Sequence, residues 1–358
     1  MQSDEPPAPP SPRSGSAAAR RPTMGDVAAR AGVSRQLVSL IFRNAPGASS
    51  ESRARVLEAA AELDYRPNTG ARALRRGTSR SLGVLFQPKH TSEADVVGGI
   101  YPAAHRVGYH VVLSAVTSAR DETTAVAELL GYRCEALILI GTHMGLDDLR
   151  KLAAQLPVVA VGGGPPEGET DWDIVRSAGD VGVTLAVDHL VQLGHRHIVY
   201  VHGQRMPSAK IRQQGYLQAM ARHGLPPRIV TTPEDYIEES GADAAKTLVQ
   251  DGTLPTAVVA GNDHAALGLI HALLRVGVKV PEQVSVTGFD DSRVAQLSYV
   301  DLTTVHQDGS EMGRFAVEAA LERITAARTN PTEVVVAPTL IVRGSTAAPR
   351  DGHIPRSS

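Results

Sequence analysis

Residues 23–42 read TMGDVAARAGVSRQLVSLIF. Thr23 is placed to cap a helix with Asp26 at its third position, a weak capping box, and Val27, Ala28 and Ala31 then recur at helical spacing. Gly32 can take the positive φ that closes a helix, and Ser34 can cap the next one at once. Two short helices joined by so tight a turn cannot lie antiparallel like a long hairpin. They must cross steeply, which is the helix-turn-helix geometry. A third helix is expected from Ser49 or Ser50 through Val56, Leu57, Ala60 and Leu63 to a stop before Pro67, its apolar stripe closing a three-helix core.

Outward from this unit the character of the chain changes on both sides. Residues 1–21 are rich in Pro, Ser and Ala, show no hydrophobic period, and read as a disordered tail. Beyond Pro67, Asn68 could cap one more short helix, TGARALRR, which stops at Gly77 and has too few apolar residues to pack a core of its own. It reads as a linker, helical only when something holds it. The first 80 residues carry 13 Arg and no Lys against 7 acidic residues, net +6, whereas the rest carries 23 basic and 31 acidic residues, net −8. A basic segment on an acidic body points to a nucleic-acid module attached to something else.

That something else alternates. Short β-branched runs at Leu82–Phe86, His110–Ser114, Ala136–Ile140, Val158–Val161, His197–Val201, Ala257–Ala260 and Val284–Gly288 are separated by helical stretches. Strand and helix repeated this often mean parallel sheets with crossover helices, an α/β architecture. About 260 residues of it exceed one comfortable core, so two lobes are expected.

Composition and motifs exclude other classes. No apolar run approaches the ~18 residues a membrane helix needs, and no basic stretch leads into an apolar one as in a secretory signal, so a cytoplasmic protein is expected. Cys134 is the one cysteine, unable by itself to form an intrachain disulfide or a structural zinc site. His195, His197 and His202 lack a carboxylate or cysteine at ligand spacing, and no metal or cofactor is expected. No nucleophile elbow, Walker loop or zinc-protease helix occurs, so no enzyme is expected. Gly162-Gly163-Gly164 lacks the spacing of a dinucleotide fingerprint and reads as a loop. Trp172, in the polar stretch GETDWD, reads as a loop aromatic near a cleft or a subunit interface.

The ordered series formed by residues 23–86, LAVDHLVQLGHRHIVYVHG, Arg212 to Tyr216, AVVAGNDHAALG, VSVTGFDDS and LTTVHQD resembles the LacI-type (lactose-repressor-type) transcription regulators over about residues 22–347. The resemblance implies an all-α helix-turn-helix headpiece at 22–67 and a hinge helix and linker at 68–80. A two-lobed core like the periplasmic sugar-binding proteins follows, with lobe 1 at 81–178 plus 308–338, lobe 2 at 179–307 plus 339–347, and a flexible tail at 348–358. It also implies a repressor that binds pseudo-palindromic double-stranded operator DNA as a homodimer and answers to a small molecule, a carbohydrate above all, held between the lobes. The competing class is a solute-binding module without DNA regulation, which the helix-turn-helix disfavours.

For the second helix, Arg35, Gln36 and Ser39 are the outward polar candidates for base edges, with Leu37, Val38 and Ile41 on the core face or against base methyls; Ser34 and Thr23 are candidates at phosphates. Arg43 replaces the family's usual Asn, and Leu40 a common Arg, which changes the expected operator. Leu74 aligns with the family's minor-groove wedge, with Asn68 and Arg72 near phosphates. In the core, Arg212, Asn262 and Asp290 match the family's polar pocket positions, Tyr236 falls where an aromatic stacks on the ligand, and Ser208 and Gln307 are further candidates. The first lobe departs from the family at Gln87–His90, at the three glycines and at Ala178, so an effector with few polar groups, or one held mostly by the second lobe, is expected.

Overall fold

The computed structural model describes residues 22–42, 45–65, 78–164, 168–203, 208–232 and 237–349. Two compact units divide the chain, residues 1–77 and 78–358. The expected tail at 1–21, most of the hinge helix, and Arg43, Asn68, Arg72, Leu74 and Tyr236 lie outside the described residues.

In the first unit Asp26 N donates to Thr23 Oγ1 at 3.3 Å, and Thr23 N donates to Asp26 Oδ2 at 2.7 Å. This reciprocal cap starts α1 (Met24–Ala31), which ends at Gly32 with φ +65°. Ser34 Oγ accepts from Leu37 N at 3.2 Å and so starts α2 (Arg35–Phe42). The third helix, α3 (Ser50–Glu62), begins at the Ser49 cap. Val27, Val38, Ile41 and Val56 close the three-helix core. Leu57, assigned above to the apolar stripe, is 49% exposed. The inward face of α3 is Val56, Ala59 and Ala60, and Leu57 stands one residue, about 100°, off it.

The second unit holds two six-stranded sheets. The first receives β1 (Ser81–Phe86), β2 (His110–Ala115), β3 (Ala136–Ile140), β4 (Val158–Val161) and β5 (Asp173–Ser177). Between them run α4 (Thr91–Arg106), α5 (Glu122–Gly131) and α6 (Leu146–Ala153). After α7 (Gly179–Gln192) the chain builds the second sheet from β6 (Ile198–Gly203), β7 (Arg228–Thr232), β8 (Ala257–Ala260), β9 (Ser285–Asp290) and β10 (Thr303–His306). Its connecting helices are α8 (Ala209–Arg222), α9 (Glu238–Gln250) and α10 (Asp263–Arg275). Then α11 (Gly309–Ile324) leads back to β11 (Glu333–Val336) on the first sheet, and β12 (Thr339–Ile341) returns to the second.

The strand orders are β11-β5-β4-β3-β1-β2 and β12-β10-β9-β8-β6-β7, parallel except where β12 runs against β10. Each sheet is sandwiched by helices, with apolar clusters on both faces. Trp172 does stand in the loop before β5, but it faces the core and not the cleft. It is 2% exposed, packed with Leu85, Leu137 and Leu139 in the core of the first sheet. The polar residues around it misled because the next strand starts at Asp173, whose carboxylate is buried against Arg328 at 2.7 Å and accepts from Thr332 N.

Candidate functional site

On the headpiece, α2 divides as its sequence requires. Val38 and Ile41 are buried, Leu37, Ser39 and Leu40 half-buried, and Arg35 and Gln36 exposed at the first turn. Thr23 and Ser34 are exposed, but their hydroxyls are engaged in the caps just described. Arg53 of α3 donates from Nη1 to Ile41 O at 3.4 Å, a cation placed at the carbonyl end of α2.

In the second unit a cleft of about 790 Å³, counting its open space, lies where the carboxyl ends of both sheets' strands meet. Ligands of parallel sheets bind at such ends because every β-to-α turn converges there. Ser208, Arg212, Asp290 and Gln307 are brought together on its second-sheet wall. Arg212, on the first turn of α8, is 5% exposed. It donates from Nη1 to Gly261 O at 2.6 Å and from Nη2 to Asp290 Oδ1 at 3.4 Å, and its guanidinium lies 3.7 Å over the Phe289 ring. Gln307 Nε2 also donates to Asp290 Oδ1, at 2.6 Å.

Asp290 and Asp291 take φ of +112° and +53°, consecutive left-handed values that non-glycine residues avoid. The surroundings hold them there: Arg343 Nη2 donates to Asp291 Oδ1 at 2.6 Å. Behind this turn Asp263 is fully buried and accepts from Ser292 N at 2.7 Å and Ser292 Oγ at 2.8 Å, and also from Thr304. Burial, then the charge of Asp290, pushes the Asp263 carboxyl up to about 7. Burial also raises Asp290 itself, against the pull of Arg212 and Gln307. Strain and displaced protonation gathered at one turn mark a functional site more often than a structural one.

Asn262 is not among the lining residues. Its Oδ1 accepts from Ala265 N at 2.9 Å, the N-cap of α10. Next to it, His264 bridges the two sheets' layers, its Nδ1 2.6 Å from Glu238 Oε1 and its Nε2 3.0 Å from Thr91 Oγ1 on α4.

The first-sheet wall corrects an expectation. It is not poor in polar groups: His90, Ser92, Glu93 and Asp95 from the start of α4, and Ser177 from the end of β5, all line the cleft. Glu93 is 6% exposed, and its Oε2 accepts from Gln87 N at 2.6 Å. Gly141, at φ +59°, leaves room for Oε1, which lies 2.5 Å from where a Cβ would stand. Burial pushes the Glu93 carboxyl up to about 8. The glycine loop after β4 has a steric reason as well. Ile211 of α8 crosses the cleft onto Gly164, its Cδ1 only 2.1 Å from where a Cβ at 164 would stand. Glu93 and Ser177 escaped the sequence reading, although Ser177 ends β5 and Glu93 opens the helix that follows β1, both on the side of the sheet where the convergence rule looks. Among the described residues no group of three His, Cys, Asp or Glu is arranged to hold a metal ion, and no helix is long and apolar enough to cross a membrane.

A helix-turn-helix unit with a polar first turn, joined to a core with a charged interlobe cleft, defines a DNA-binding transcriptional regulator governed by a ligand. Residues 23–68 match the family model described as bacterial regulatory proteins, lacI family, and residues 187–346 match the periplasmic binding protein-like domain. The chain is 30% identical over 330 residues to the ribose operon repressor of Escherichia coli K12, covering 90% of this chain and 99% of that one. A LacI transcriptional regulator from a Rhodococcus species is 42% identical with a TM-score of 0.71, over 75% of this chain and 98% of that one. The lac repressor dimer bound to operator and an anti-inducer is 28% identical with a TM-score of 0.79, over 92% and 100%. The chain belongs to the lacI family of bacterial regulatory proteins.

Proposed function

We propose that this chain is a cytoplasmic, non-catalytic repressor that binds a pseudo-palindromic operator as a homodimer and is switched by a small molecule, a carbohydrate, in the cleft. The observation that carries this reading is the pairing, in one polypeptide, of exposed Arg35 and Gln36 on the first turn of α2 with the buried Arg212–Asp290 wall of the cleft. Arg35, Gln36 and Ser39 face base edges, while Thr23, Ser34, Arg43, Asn68 and Arg72 contact phosphates and Leu74 wedges the minor groove. Ser208, Arg212, Tyr236, Asn262, Asp290 and Gln307 hold the effector, Asn262 also capping the start of α10. The lobes run 81–178 plus 308–338 and 179–307 plus 339–347. A ligand that touches both walls has a different affinity for open and closed lobes, and only such a difference can shift the headpieces.

The test begins with selection of the operator from a random duplex library by the full chain. Affinity for the selected duplex should fall with salt at about −0.9 log units per log unit for each phosphate neutralised. Arg35→Ala and Gln36→Ala should each cost about 1–3 kcal/mol and relax one or two operator positions. Arg212→Ala should keep the operator and lose release by any sugar that frees the wild type. A chain that enriches no sequence, or an Arg212→Ala variant that releases normally, overturns the assignment.

A further inference from the structure

The two walls of the cleft differ in their charge balance. On the second-sheet wall the Arg212 guanidinium is paired with Asp290 and donates to Gly261 O, so its charge is balanced there, while its buried Nε has no hydrogen-bond partner among the described residues and is open to an acceptor such as a ligand hydroxyl. On the opposite wall stand two carboxyls, Glu93 and Asp95, with no ion pair within 4 Å among the described residues. The charged groups nearest Glu93 are Lys89, His143 and Glu122, and His143 lies 3.5 Å from Glu122. Those nearest Asp95 are His306 and Asp291, which lie 3.2 Å from each other. A third group points to a missing ligand independently of the acids. Ser177 is 7% exposed, lines the same cleft, and its Oγ is buried with no hydrogen-bond partner among the described residues. A buried hydroxyl left unmet costs free energy unless something arrives to bond it.

We infer that the wall formed by Glu93, Asp95 and Ser177 receives a protonated amine, and that the effector is a polyol carrying a basic nitrogen. This rests on the effector reading above and narrows its ligand. An ammonium group brings hydrogen-bond donors and a positive charge that no ion pair among the described residues supplies to Glu93 or Asp95, whereas a neutral sugar brings hydroxyls without charge and an acid sugar brings the wrong sign. Glu93 is the selecting residue: Gln87 N–H fixes one oxygen, the bare backbone of Gly141 makes room for the other, and the cleft supplies the third side. Burial keeps Glu93 protonated at neutral pH in the empty cleft. Ammonium binding stabilises the ionised carboxylate, so a proton leaves Glu93 for the buffer as the amine enters.

The experiment titrates the full chain at pH 6.5 with glucosamine and galactosamine, their parents glucose and galactose, and glucuronate. Calorimetry in two buffers of different ionisation enthalpy follows the proton. At least one amine should bind ten-fold or more tighter than its parent, with release of close to one proton. Glu93→Gln should abolish both the preference and the release while keeping a single cooperative thermal transition at or above the wild-type temperature. Parent sugar binding as tightly as amine, tighter binding of glucuronate, or amine binding without proton release overturns the inference and leaves the effector reading standing. Silence toward every probe overturns both.

Discussion

Glu93→Gln is expected to flatten the pH dependence of stability, because the wild-type chain should lose stability as the pH rises from 5 to 8. The sign follows from where the proton sits. In the folded chain burial holds the Glu93 proton up to about pH 8, whereas an unfolded glutamate releases it near its ordinary value of 4.5. Between those values the native state binds one proton more than the unfolded state, so unfolding free energy falls with pH. The steepest slope for one proton is about 1.4 kcal/mol per pH unit, or about 4 kcal/mol over three units. Glutamine keeps the shape and can still accept from Gln87 N, but has no proton to lose. Trp172 is the chain's one tryptophan and packs in the core of the sheet whose strand ends carry Glu93, so its fluorescence reports the relevant unfolding. Urea titrations at pH 5, 6, 7 and 8 should show the two proteins diverging, the variant the more stable at pH 8. Parallel curves would mean that Glu93 is ionised in the fold and that its burial is relieved by water.

How far the sequence reached depended on whether a segment carried its own pattern. The headpiece was legible because each boundary is chemical: Thr23 with Asp26, Gly32, and Ser34 can each do little else at those positions. The central strands β1, β3, β4 and β8 were legible because a strand buried on both faces must be an unbroken apolar run. Five strands were missed for two different reasons. The edge strands β7, β11 and β12 are half exposed, so Arg228, Glu333 and Thr339 dilute their pattern. In contrast, β5 and β10 are interior but polar. Asp173 is balanced by Arg328 and Thr332, and Thr303 and Thr304 bury their hydroxyls against Arg343 O and Asp263. Those partners lie far along the chain, where no local pattern can reveal them.

The same distinction governs the cleft. Arg212, Asp290 and Gln307 were legible through ordered motifs, and they meet. Asn262 matched a motif equally well, and what the motif could not show is that its Oδ1 also caps α10, since a motif marks a position and not the direction of its side chain. Glu93 and Ser177 belong to no motif. What gives them chemistry is burial beside the carboxyl ends of the strands, a property that exists only after the sheet has assembled. The two walls differ in pairing: one joins Arg212 to Asp290, while the carboxyls of the other have no ion pair within 4 Å among the described residues. A ligand bridging the walls gains most when the lobes close, and Thr91–His264 and Ile211–Gly164 are contacts that closure must respect.

Asp290→Asn and Asp290→Ala should separate the charge of the Arg212–Asp290 wall from its backbone strain. Asn keeps the size of the side chain and tolerates positive φ about as well as Asp, so its cost is electrostatic: Arg212, 7% exposed at its side chain, loses its anion while remaining charged. Removing one partner of a buried pair costs about 3–5 kcal/mol. Gly261 O and the Phe289 ring still hold the guanidinium, which places the loss near 3 kcal/mol. Some of it returns at Asp263, whose carboxyl no longer feels the charge of Asp290 and moves down from about 7. Alanine has the same electrostatic loss and in addition must hold φ +112° with no polar side chain to compensate, about 1–2 kcal/mol more. Chemical unfolding of the three proteins at pH 7 should therefore rank wild type above Asn above Ala, with both steps resolved. Equal stability of the two variants would place the whole effect in the charge. A variant pair as stable as wild type would show that the Arg212–Asp290 pair contributes nothing to the closed wall, and the cleft would need another anchor.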